Sequence, residues 1–308
     1  MCGAHDNITA AYEGFSAELI AAGLLIPTGA ASVYGYNGVF EDVIERFDAL
    51  VSHAGAALKP EVMRFTPLLT RENYLRTDHL ETFPNLMGSV HSFLGTEKEL
   101  PELIRKRQQR EGWADDLGPT AVMLTPAVCY PLYPTATGTL PPQGRLVDLR
   151  GFVFRHEPSA DPARLQMFRM HEFVRLGTPD QALDHRNYWL KKGEEILQSV
   201  GLDVKPVVAN DPFFGRGGRV MAATQREQHL KYELIVPVAS AEKPTAVASS
   251  NYHMDHFGHS FDIKSSDGEV AHSACVGFGL ERIALALFKT HGYVPAQWPH
   301  SVRQAMSL

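Results

Sequence analysis

Residues 275–288 read CVGFGLERIALALF, and this stretch predicts a strand, two closely spaced glycines and then an apolar helix. Glycine has no Cβ, so Gly277 and Gly279 would let the main chain approach a ligand closely. Arg282 falls in the first turn of the predicted helix, and its permanently charged, planar guanidinium matches phosphate oxygens. A Gly-x-Gly before a helix is most often only a turn. The stretch by itself leaves both a turn and a nucleotide site open.

A second pattern lies more than a hundred residues earlier, where strands are predicted at 146–156 and 166–175 with a short polar loop between them. Side chains that alternate across a strand share one face at every second position. Four residues share such a face by this rule: Arg155, Glu157, Phe168 and Glu172. An arginine, a carboxylate and a ring would hold a phosphate, an exocyclic amine and a flat base. A solvated hairpin with cross-strand ion pairs is the alternative; the glycine–arginine stretch favours the nucleotide site.

These motifs, in this order, resemble those of class II aminoacyl-tRNA synthetases. Residues 154–157 with Phe168 and Glu172 resemble motif 2, and residues 277–282 resemble motif 3. Residues 63–67, Met-Arg-Phe-Thr-Pro, resemble the proline-containing motif 1, which builds the dimer interface in that superfamily. The resemblance implies an α+β fold, with an antiparallel sheet flanked by helices, and a homodimer.

Residues 124–132, LTPAVCYPL, resemble a segment of seryl-tRNA synthetases, with Cys129 where that segment has a glutamate. The resemblance runs from about residue 60 to residue 288 and points to the zinc-dependent seryl-type catalytic core. Within that group the chain most resembles the amino acid:[carrier protein] ligases, stand-alone homologues without a tRNA-binding domain. A chain of 308 residues suits an N-terminal helical extension, 1–58, packed on a single catalytic unit, 59–308.

Hydrophobic periodicity agrees with a mixed fold. A helix is predicted around residues 40–50, a second at 180–200, and a third directly after Gly279. Strands are predicted at 121–125, 146–156, 166–175, 204–209, 232–237, 246–252 and 270–277. Helices around a run of mostly antiparallel strands form an α+β domain.

Composition narrows the set of partners. A net charge of −6 and a pI near 6.2 argue against a broad nucleic-acid surface, which needs clustered Lys and Arg. The sustained heptads of a tRNA-gripping coiled coil are absent, so tRNA is not an expected partner. No stretch approaches the ~20 apolar residues of a membrane span. With three cysteines, the sequence predicts a cytoplasmic protein without a disulfide framework.

Cys129, Glu172 and Cys275 are far apart in sequence, and spacing alone would indicate two ordinary buried thiols. The resemblance changes this interpretation, because zinc-dependent relatives carry metal ligands at these three positions. Three protein ligands leave one coordination position open, which is typical of a zinc ion that binds substrate. The resemblance thus implies Zn²⁺ with the α-amino group of an amino acid in the open position.

The resemblance also assigns roles in ATP binding. Arg155 would contact the α-phosphate and the substrate carboxylate, and Arg282 the γ-phosphate. The remaining expected ATP contacts are Glu157 with the adenine amine, Phe168 under the ring, Arg164 at the pyrophosphate, Gly279 at the backbone approach and Glu233 on Mg²⁺. The metal-binding carboxylate of the seryl-type segment Glu-x-x-Ser-Cys-Ser is missing here, where residues 246–251 read AVASSN. The number of Mg²⁺ ions on ATP is therefore open.

Two further residues are expected at the amino-acid substrate. Asn251 ends the AVASSN segment. Asp211 would contact the amino group, although an aspartate before a proline is as often a turn residue. The resemblance implies a small amino acid, glycine or alanine, which the enzyme activates as an aminoacyl adenylate.

The acceptor implied by the resemblance is the phosphopantetheine thiol of an acyl carrier protein. Carrier proteins are usually acidic, and basic residues cluster around a possible helix at 222–231: Arg216, Arg219, Arg226 and Lys231. This helix is either a carrier-docking surface or simply a solvated face. Two other functions stay open: a truncated seryl-type tRNA synthetase, and a non-catalytic paralogue that binds nucleotide or amino acid.

Overall fold

Seven strands of this chain form one central sheet. The computed structural model describes residues 2–308, and it describes the side chains of all of these except 2–6 and 216–218. The fourteen strands found in this range are β1 (Leu25–Pro27), β2 (Tyr34–Tyr36), β3 (Glu61–Met63), β4 (Leu68–Thr70), β5 (Ser89–Phe93), β6 (Leu117–Leu124), β7 (Gly138–Thr139), β8 (Arg145–Phe154), β9 (Met167–Gly177), β10 (Lys205–Ala209), β11 (Lys231–Val236), β12 (Thr245–Met254), β13 (Ile263–Lys264) and β14 (His272–Gly279).

The central sheet has the strand order β10-β11-β12-β14-β9-β8-β3. All neighbours pair antiparallel except β3, which runs parallel to β8 at the edge. In the register of β14, Cys275 pairs with Asn251 of β12 on one side, and Gly277 pairs with Glu172 of β9 on the other. The pairing therefore brings three sequence motifs that are distant in the chain onto adjacent central strands.

Helices cover the sheet. In the described range they are α1 (Cys2–Ala21), α2 (Gly38–Gly55), α3 (Arg71–Leu75), α4 (His79–Thr82), α5 (Leu100–Gln108), α6 (Pro179–Ser199), α7 (Gly215–Glu227), α8 (His256–Phe261), α9 (Leu280–His291) and α10 (His300–Ala305). Helix α6 begins with a capping box between Thr178 and Gln181, in which each side chain accepts from the other's backbone N–H. Its Trp189 is buried and stacks on Phe173 of β9, with ring centroids 4.3 Å apart.

The N-terminal elements share the main apolar core with the sheet. Phe40 of α2 stacks on Phe288 of α9 with ring centroids 5.5 Å apart, and Phe47 approaches Phe278 of β14. All four rings are buried in one cluster. The division of the chain at residue 58 stays a prediction. No helix in the described part of the chain is both long and apolar enough to cross a lipid bilayer.

Each of the seven predicted strands corresponds to an observed strand. The strand predicted at 121–125 is β6, which lies at the centre of a separate three-stranded sheet, β4-β6-β5. Two details of the sequence analysis are wrong. Strand β8 ends at Phe154, so Arg155 and Glu157 lie in the following loop and not on a strand. The helix expected at 222–231 is α7, which starts earlier and ends at Glu227, because His229 adopts a left-handed backbone with φ of 51°.

Candidate active site

A cavity of about 430 Å³ opens over the central strands β9, β11, β12 and β14. Ten residues predicted from the sequence line it: Cys129, Arg155, Phe168, Glu172, Asp211, Glu233, Asn251, Cys275, Gly279 and Arg282. Two other predicted residues, Glu157 and Arg164, are not part of this lining. The fold therefore gathers most of the predicted site from segments spread over about 150 residues.

Phe168 lies close to two arginines at one end of the cavity. The guanidinium carbons of Arg155 and Arg282 are each 5.6 Å from the centroid of the Phe168 ring. Arg282 is held by two carbonyl oxygens, 2.8 Å from Ala163 and 3.1 Å from Ala246. Burial and the nearby positive charge of Arg155 lower the pKa of Arg282 to about 10, which leaves it charged at neutral pH. A ring next to two cations suits a flat base with an attached polyphosphate.

Gly277 and Gly279 provide room on the cavity wall and do not form a left-handed turn, since neither is among the residues with positive φ. A Cβ at Gly277 would come within 3.4 Å of Glu172 Cγ. A Cβ at Gly279 would lie 3.5 Å from the Val247 carbonyl oxygen. Both contacts are ordinary in length, so a side chain would fit the protein and would instead fill the cavity. The sequence analysis left open that these glycines form only a turn, but both lie at the end of strand β14.

Glu157 and Arg164 form an ion pair with each other, with 2.5 Å between Oε1 and Nη1. Both side chains are partly exposed at the loop that joins β8 to β9. Their charges nevertheless affect Arg282: the positive charge of Arg164 lowers the pKa of that arginine, and the negative charge of Glu157 raises it. They lie outside the lining of the cavity, beside the end formed by Phe168 and the two arginines.

Cys129, Glu172 and Cys275 are buried and lie together. Interaction with the neighbouring Cys129 thiol lowers the pKa of Cys275 well below its usual value, although burial opposes this. Burial raises the pKa of Glu172, and its Oε2 atom has no hydrogen-bond partner. Within the part of the chain that the structure describes, no set of three His, Cys, Asp or Glu side chains is already spaced around a metal position. The cluster is nevertheless a set of two thiols and a carboxylate with unused ligand capacity.

One residue missed in the sequence, His253, supports this cluster. His253 Nε2 lies 3.6 Å from Cys275 Sγ, and His253 Nδ1 lies 3.0 Å from the Ser273 hydroxyl. Asn251, which was predicted, donates to the same sulfur at 3.4 Å. His253 lies at a register shift between β12 and β14, one residue beyond the predicted strand 246–252, so alternation along that strand does not identify it.

Asp211 is fixed inside the cavity and is not merely a turn residue. Its carboxylate accepts from Lys231 Nζ at 2.5 Å and from Gln225 Nε2 at 2.8 Å, and Lys231 also lies 3.3 Å from Glu233. Lys231 and Gln225 hold the pKa of Asp211 below its usual value even though burial opposes this. The assignment of Lys231 to a solvent-facing basic cluster is wrong, because its side chain is buried against these two carboxylates.

The rest of the proposed basic cluster belongs to α7. Arg219 is exposed, and Arg226 donates to the Asn210 side chain. The side chain of Arg216 lies outside the described residues. Three large apolar side chains are exposed beside these arginines: Phe214, Val220 and Met221. The helix thus presents apolar and basic groups together.

No family model matches this chain. Amino acid–[acyl-carrier-protein] ligase 2 of Bradyrhizobium diazoefficiens is 43% identical to it over 282 residues, which cover 91% of this chain and 84% of that protein. The chain belongs to the amino acid–[acyl-carrier-protein] ligase family. The family resemblance inferred from the motifs is confirmed.

Solved structures place this ligase in the expected fold. The seryl-tRNA synthetase of M. kandleri, in complex with A. aeolicus tRNASec, superimposes with a TM-score of 0.80 at 21% identity. The match covers 95% of this chain and 60% of that one. Seryl-tRNA synthetase of Pyrococcus horikoshii, complexed with ATP, gives a TM-score of 0.69 at 12% identity over 96% of this chain and 62% of that one. At these identities the likeness shows the fold alone, and it confirms the α+β class.

Chemically, this ligase combines two neighbouring environments in one cavity. The arginine–phenylalanine end offers positive charge and a ring face. The centre offers two thiols, a carboxylate and an amide, and Asp211 adds a fixed negative charge nearby. The arrangement is suited to holding a polyphosphate next to a small molecule that bears both an amine and a carboxylate.

Proposed function

We propose that this ligase activates an amino acid with ATP and transfers the aminoacyl group to the phosphopantetheine thiol of an acyl carrier protein. The observation that carries the proposal is the single cavity in which Arg155, Phe168 and Arg282 adjoin the thiol–carboxylate cluster. The relative that is 43% identical is named an amino acid–[acyl-carrier-protein] ligase, which supports an amino acid as substrate and a carrier protein as acceptor.

In the first step, an oxygen of the amino-acid carboxylate forms a bond to the α-phosphorus of ATP. The bond between that phosphorus and the bridging oxygen of pyrophosphate breaks, and pyrophosphate leaves. Catalysis of this kind depends on positioning and on stabilising negative charge. Arg155 holds the carboxylate against the α-phosphate, and Arg282 holds the γ-phosphate. Phe168 stacks under adenine, Glu157 accepts from the adenine amine, Arg164 steadies the pyrophosphate, and Gly279 leaves room for the nucleotide.

We place zinc at Cys129, Glu172 and Cys275. The donor set fits the ion, because two thiols and a carboxylate are ligands that zinc prefers, and Glu172 Oε2 is buried without a partner. A bound zinc ion would supply an open position for the α-amino nitrogen of the substrate. Asn251 and His253 contact Cys275 and orient that ligand. Mg²⁺ would accompany the phosphates of ATP, and Glu233 in the cavity lining is the carboxylate proposed to hold it.

The amino acid is proposed to be small, glycine or alanine. Asp211 is positioned by Lys231 and Gln225 to attract the ammonium group as it enters. A ligand set that recognises only the amino group does not read the side chain, so pocket volume sets selectivity. A hydrophobic pocket discriminates one methylene by only about 1–3 kcal/mol, and neighbouring small amino acids are expected to react as well.

In the second step, the phosphopantetheine sulfur forms a bond to the acyl carbon, and AMP leaves with the electron pair of the broken C–O bond. The thiol proton passes to solvent or to AMP. We propose α7 as the carrier-docking surface, since Arg219 is exposed there beside apolar side chains such as Val220. Basic groups steer an acidic partner, and apolar ones add contact area.

We further propose that the ligase is a cytoplasmic homodimer. Residues 63–67 resemble motif 1, and β3 immediately before them is the terminal strand of the central sheet. Val62 at the middle of β3 is 67% exposed. An exposed apolar edge strand is a site where a second chain adds to a sheet.

The test of this function is a labelling experiment with two acceptors. The purified, metal-replete ligase is incubated with ATP, labelled glycine or alanine, and either a phosphopantetheinylated carrier protein or total tRNA. Label should appear on the carrier as a thioester that hydroxylamine releases, and an apo carrier without the arm should stay unlabelled. Label on tRNA would instead favour a truncated seryl-type synthetase. Bound nucleotide without any transfer would favour a non-catalytic paralogue.

A further inference from the structure

One corner of the cavity is not used by the contacts proposed for ATP and the amino acid. It is formed by α4 and the residues next to it, together with Tyr130. His79 lies at its centre, only 4% exposed. Its ring meets those of Tyr74, Phe83 and Tyr130, with centroid distances of 5.4, 5.0 and 6.0 Å. An imidazole is thus enclosed by aromatic rings on the wall of the active-site cavity.

Neither ring nitrogen of His79 has a hydrogen-bond partner, although both are buried. A buried polar group without a partner is costly, so such a group in a cavity wall indicates a ligand that completes it. Burial, with Arg155 nearby, lowers the pKa of His79 to about 4. The imidazole is therefore neutral at neutral pH and presents one N–H donor and one bare acceptor nitrogen.

The corner connects the reaction centre with α7. The Phe214 backbone N–H donates to the Thr82 carbonyl at 2.9 Å, and the Phe83 and Phe213 rings stack with centroids 5.1 Å apart. Thr82, Phe83, Phe213 and Met221 of α7 line the same cavity as His79. A thiol delivered from a carrier docked on α7 therefore passes along the aromatic wall that holds His79.

The small amino acid offers no group for this imidazole. In the proposed function its carboxylate meets Arg155 and its amino group meets the thiol–carboxylate cluster, and glycine or alanine has no polar side-chain atom. The phosphopantetheine arm carries a secondary amide two methylenes before its thiol. That amide supplies a carbonyl acceptor and an N–H donor together, and the methylenes suit aromatic walls.

We propose that His79 binds the thiol-proximal amide of the phosphopantetheine arm and positions the sulfur for the transfer step. This inference rests on the proposed function and adds to it a residue that acts on the second substrate. In this role His79 is a positioning residue. It neither forms a bond to the substrate nor takes a proton from it.

The test compares His79→Phe with Tyr74→Phe. The first variant keeps a ring in the aromatic corner and removes both nitrogens. The second removes a hydroxyl that is equally buried and unpartnered, but on a residue that is not part of the cavity lining. Each variant is assayed for ATP–pyrophosphate exchange and for aminoacyl transfer to free pantetheine, and also to cysteamine, which has the thiol but no amide.

For His79→Phe we expect the ratio of pantetheine transfer to exchange to fall about 5- to 10-fold, the loss that one hydrogen bond predicts. The preference of the enzyme for pantetheine over cysteamine should fall by the same factor. Tyr74→Phe should leave both ratios unchanged. Because removal of an unpartnered polar atom does not destabilise a core, both variants should stay folded by thermal melting.

Three results would overturn the inference. An unchanged preference for pantetheine over cysteamine in His79→Phe would show that His79 does not bind the amide. A rise in the amino-acid KM for exchange, in proportion to the loss of transfer, would place His79 at the amino acid. Equal losses in Tyr74→Phe would make the effect one of packing. Absence of exchange in the unaltered enzyme would instead reject the proposed function itself.

Discussion

Arg282 is fixed before any ligand arrives. Two backbone carbonyls accept from it, at 2.8 and 3.1 Å, and its guanidinium lies over the Phe168 ring in the cavity lining. Preorganised charge of this kind costs no reorganisation when a phosphate binds. The planar fork of arginine satisfies carbonyls and phosphate together, which a lysine ammonium does not.

Arg282→Lys is expected to keep the positive charge and lose this geometry. Loss of charged hydrogen bonds worth about 1.5–3 kcal/mol predicts a decrease in kcat/KM for ATP of roughly 10- to 100-fold. The measurement is ATP–pyrophosphate exchange at varied ATP concentration. The matched control is Arg303→Lys, since Arg303 also donates to a backbone carbonyl, that of Trp298, but lies in α10 outside the cavity lining. Equal effects of the two substitutions would refute a phosphate-binding role for Arg282.

Metal removal tests the thiol–carboxylate cluster. Treatment with a strong chelator should remove about one zinc ion per chain and abolish amino-acid-dependent exchange, while far-UV circular dichroism stays unchanged. The fold is expected to survive because Glu172 and Cys275 sit on the central strands β9 and β14, and Cys129 lies in a turn whose side chain is packed in an apolar cluster. Cys275→Ser should likewise lose zinc, by elemental analysis. Loss of the circular dichroism signal on chelation would make the metal structural and contradict the substrate-binding role.

At the scale of single residues, the sequence identifies groups with an unambiguous motif and misses groups without one. The arginines, Phe168, Glu172 and the two cysteines belong to segments whose order resembles a known family. The sequence analysis assigns Lys231 to a solvated basic cluster. Its partner Asp211 is twenty positions away, and no local sequence pattern indicates that the two side chains form an ion pair. His79 belongs to no motif, and only its surroundings in the folded chain make it informative.

Strands are the elements that the sequence predicts best. Seven of the fourteen observed strands were predicted, since each of these is long enough to show alternation or a continuous apolar run. The seven that were not predicted, β1–β5, β7 and β13, have only two to five residues. The sequence does not predict to which sheet a strand belongs. Strand β6 pairs with β4 and β5, and that choice depends on contacts between segments that alternation does not encode. The edge strand β3, only three residues long, was not predicted, and only its last residue, Met63, belongs to the segment that resembles motif 1.

The exposed edge strand β3 leads to a prediction about the oligomeric state. If β3 and the following motif form the subunit interface, Val62→Lys places a charge in it and should shift the dimer toward monomer by at least tenfold in Kd. Sedimentation velocity over a range of concentrations measures the change. Val220→Lys is the matched control, because Val220 is equally exposed, at 68% against 67%, but lies on α7. A monomeric unaltered protein at micromolar concentration would reject the homodimer.

The whole molecule is expected to be acid-labile through a buried histidine between α6 and β9. His185 Nε2 donates to the Phe173 carbonyl at 2.9 Å, and burial lowers the pKa of His185 from 6.5 to about 4. The folded protein holds this imidazole neutral, whereas the unfolded chain protonates it near pH 6.5. Its contribution to stability is therefore present above pH 6.5 and is lost as the pH falls toward 4.

A pairwise comparison isolates this contribution. His185→Gln keeps an N–H donor for the Phe173 carbonyl and does not titrate. Between pH 7 and pH 4 the free energy of unfolding of the unaltered protein should fall by up to about 3 kcal/mol more than that of the variant. Denaturant melts at four pH values measure the difference, and the carboxylates common to both proteins cancel. Parallel pH profiles would mean that His185 titrates normally in the folded state.

The most direct measurement on the whole enzyme is amino-acid-dependent ATP–pyrophosphate exchange, with all twenty amino acids, metal-replete protein and no RNA present. Exchange reports formation of the adenylate without any acceptor, so it tests the joint action of the arginines and the thiol–carboxylate cluster. We predict exchange with glycine or alanine and weaker exchange with other small amino acids. Silence with all twenty, while zinc is bound and ATP binding is intact, would contradict the assignment of this cavity to amino-acid activation.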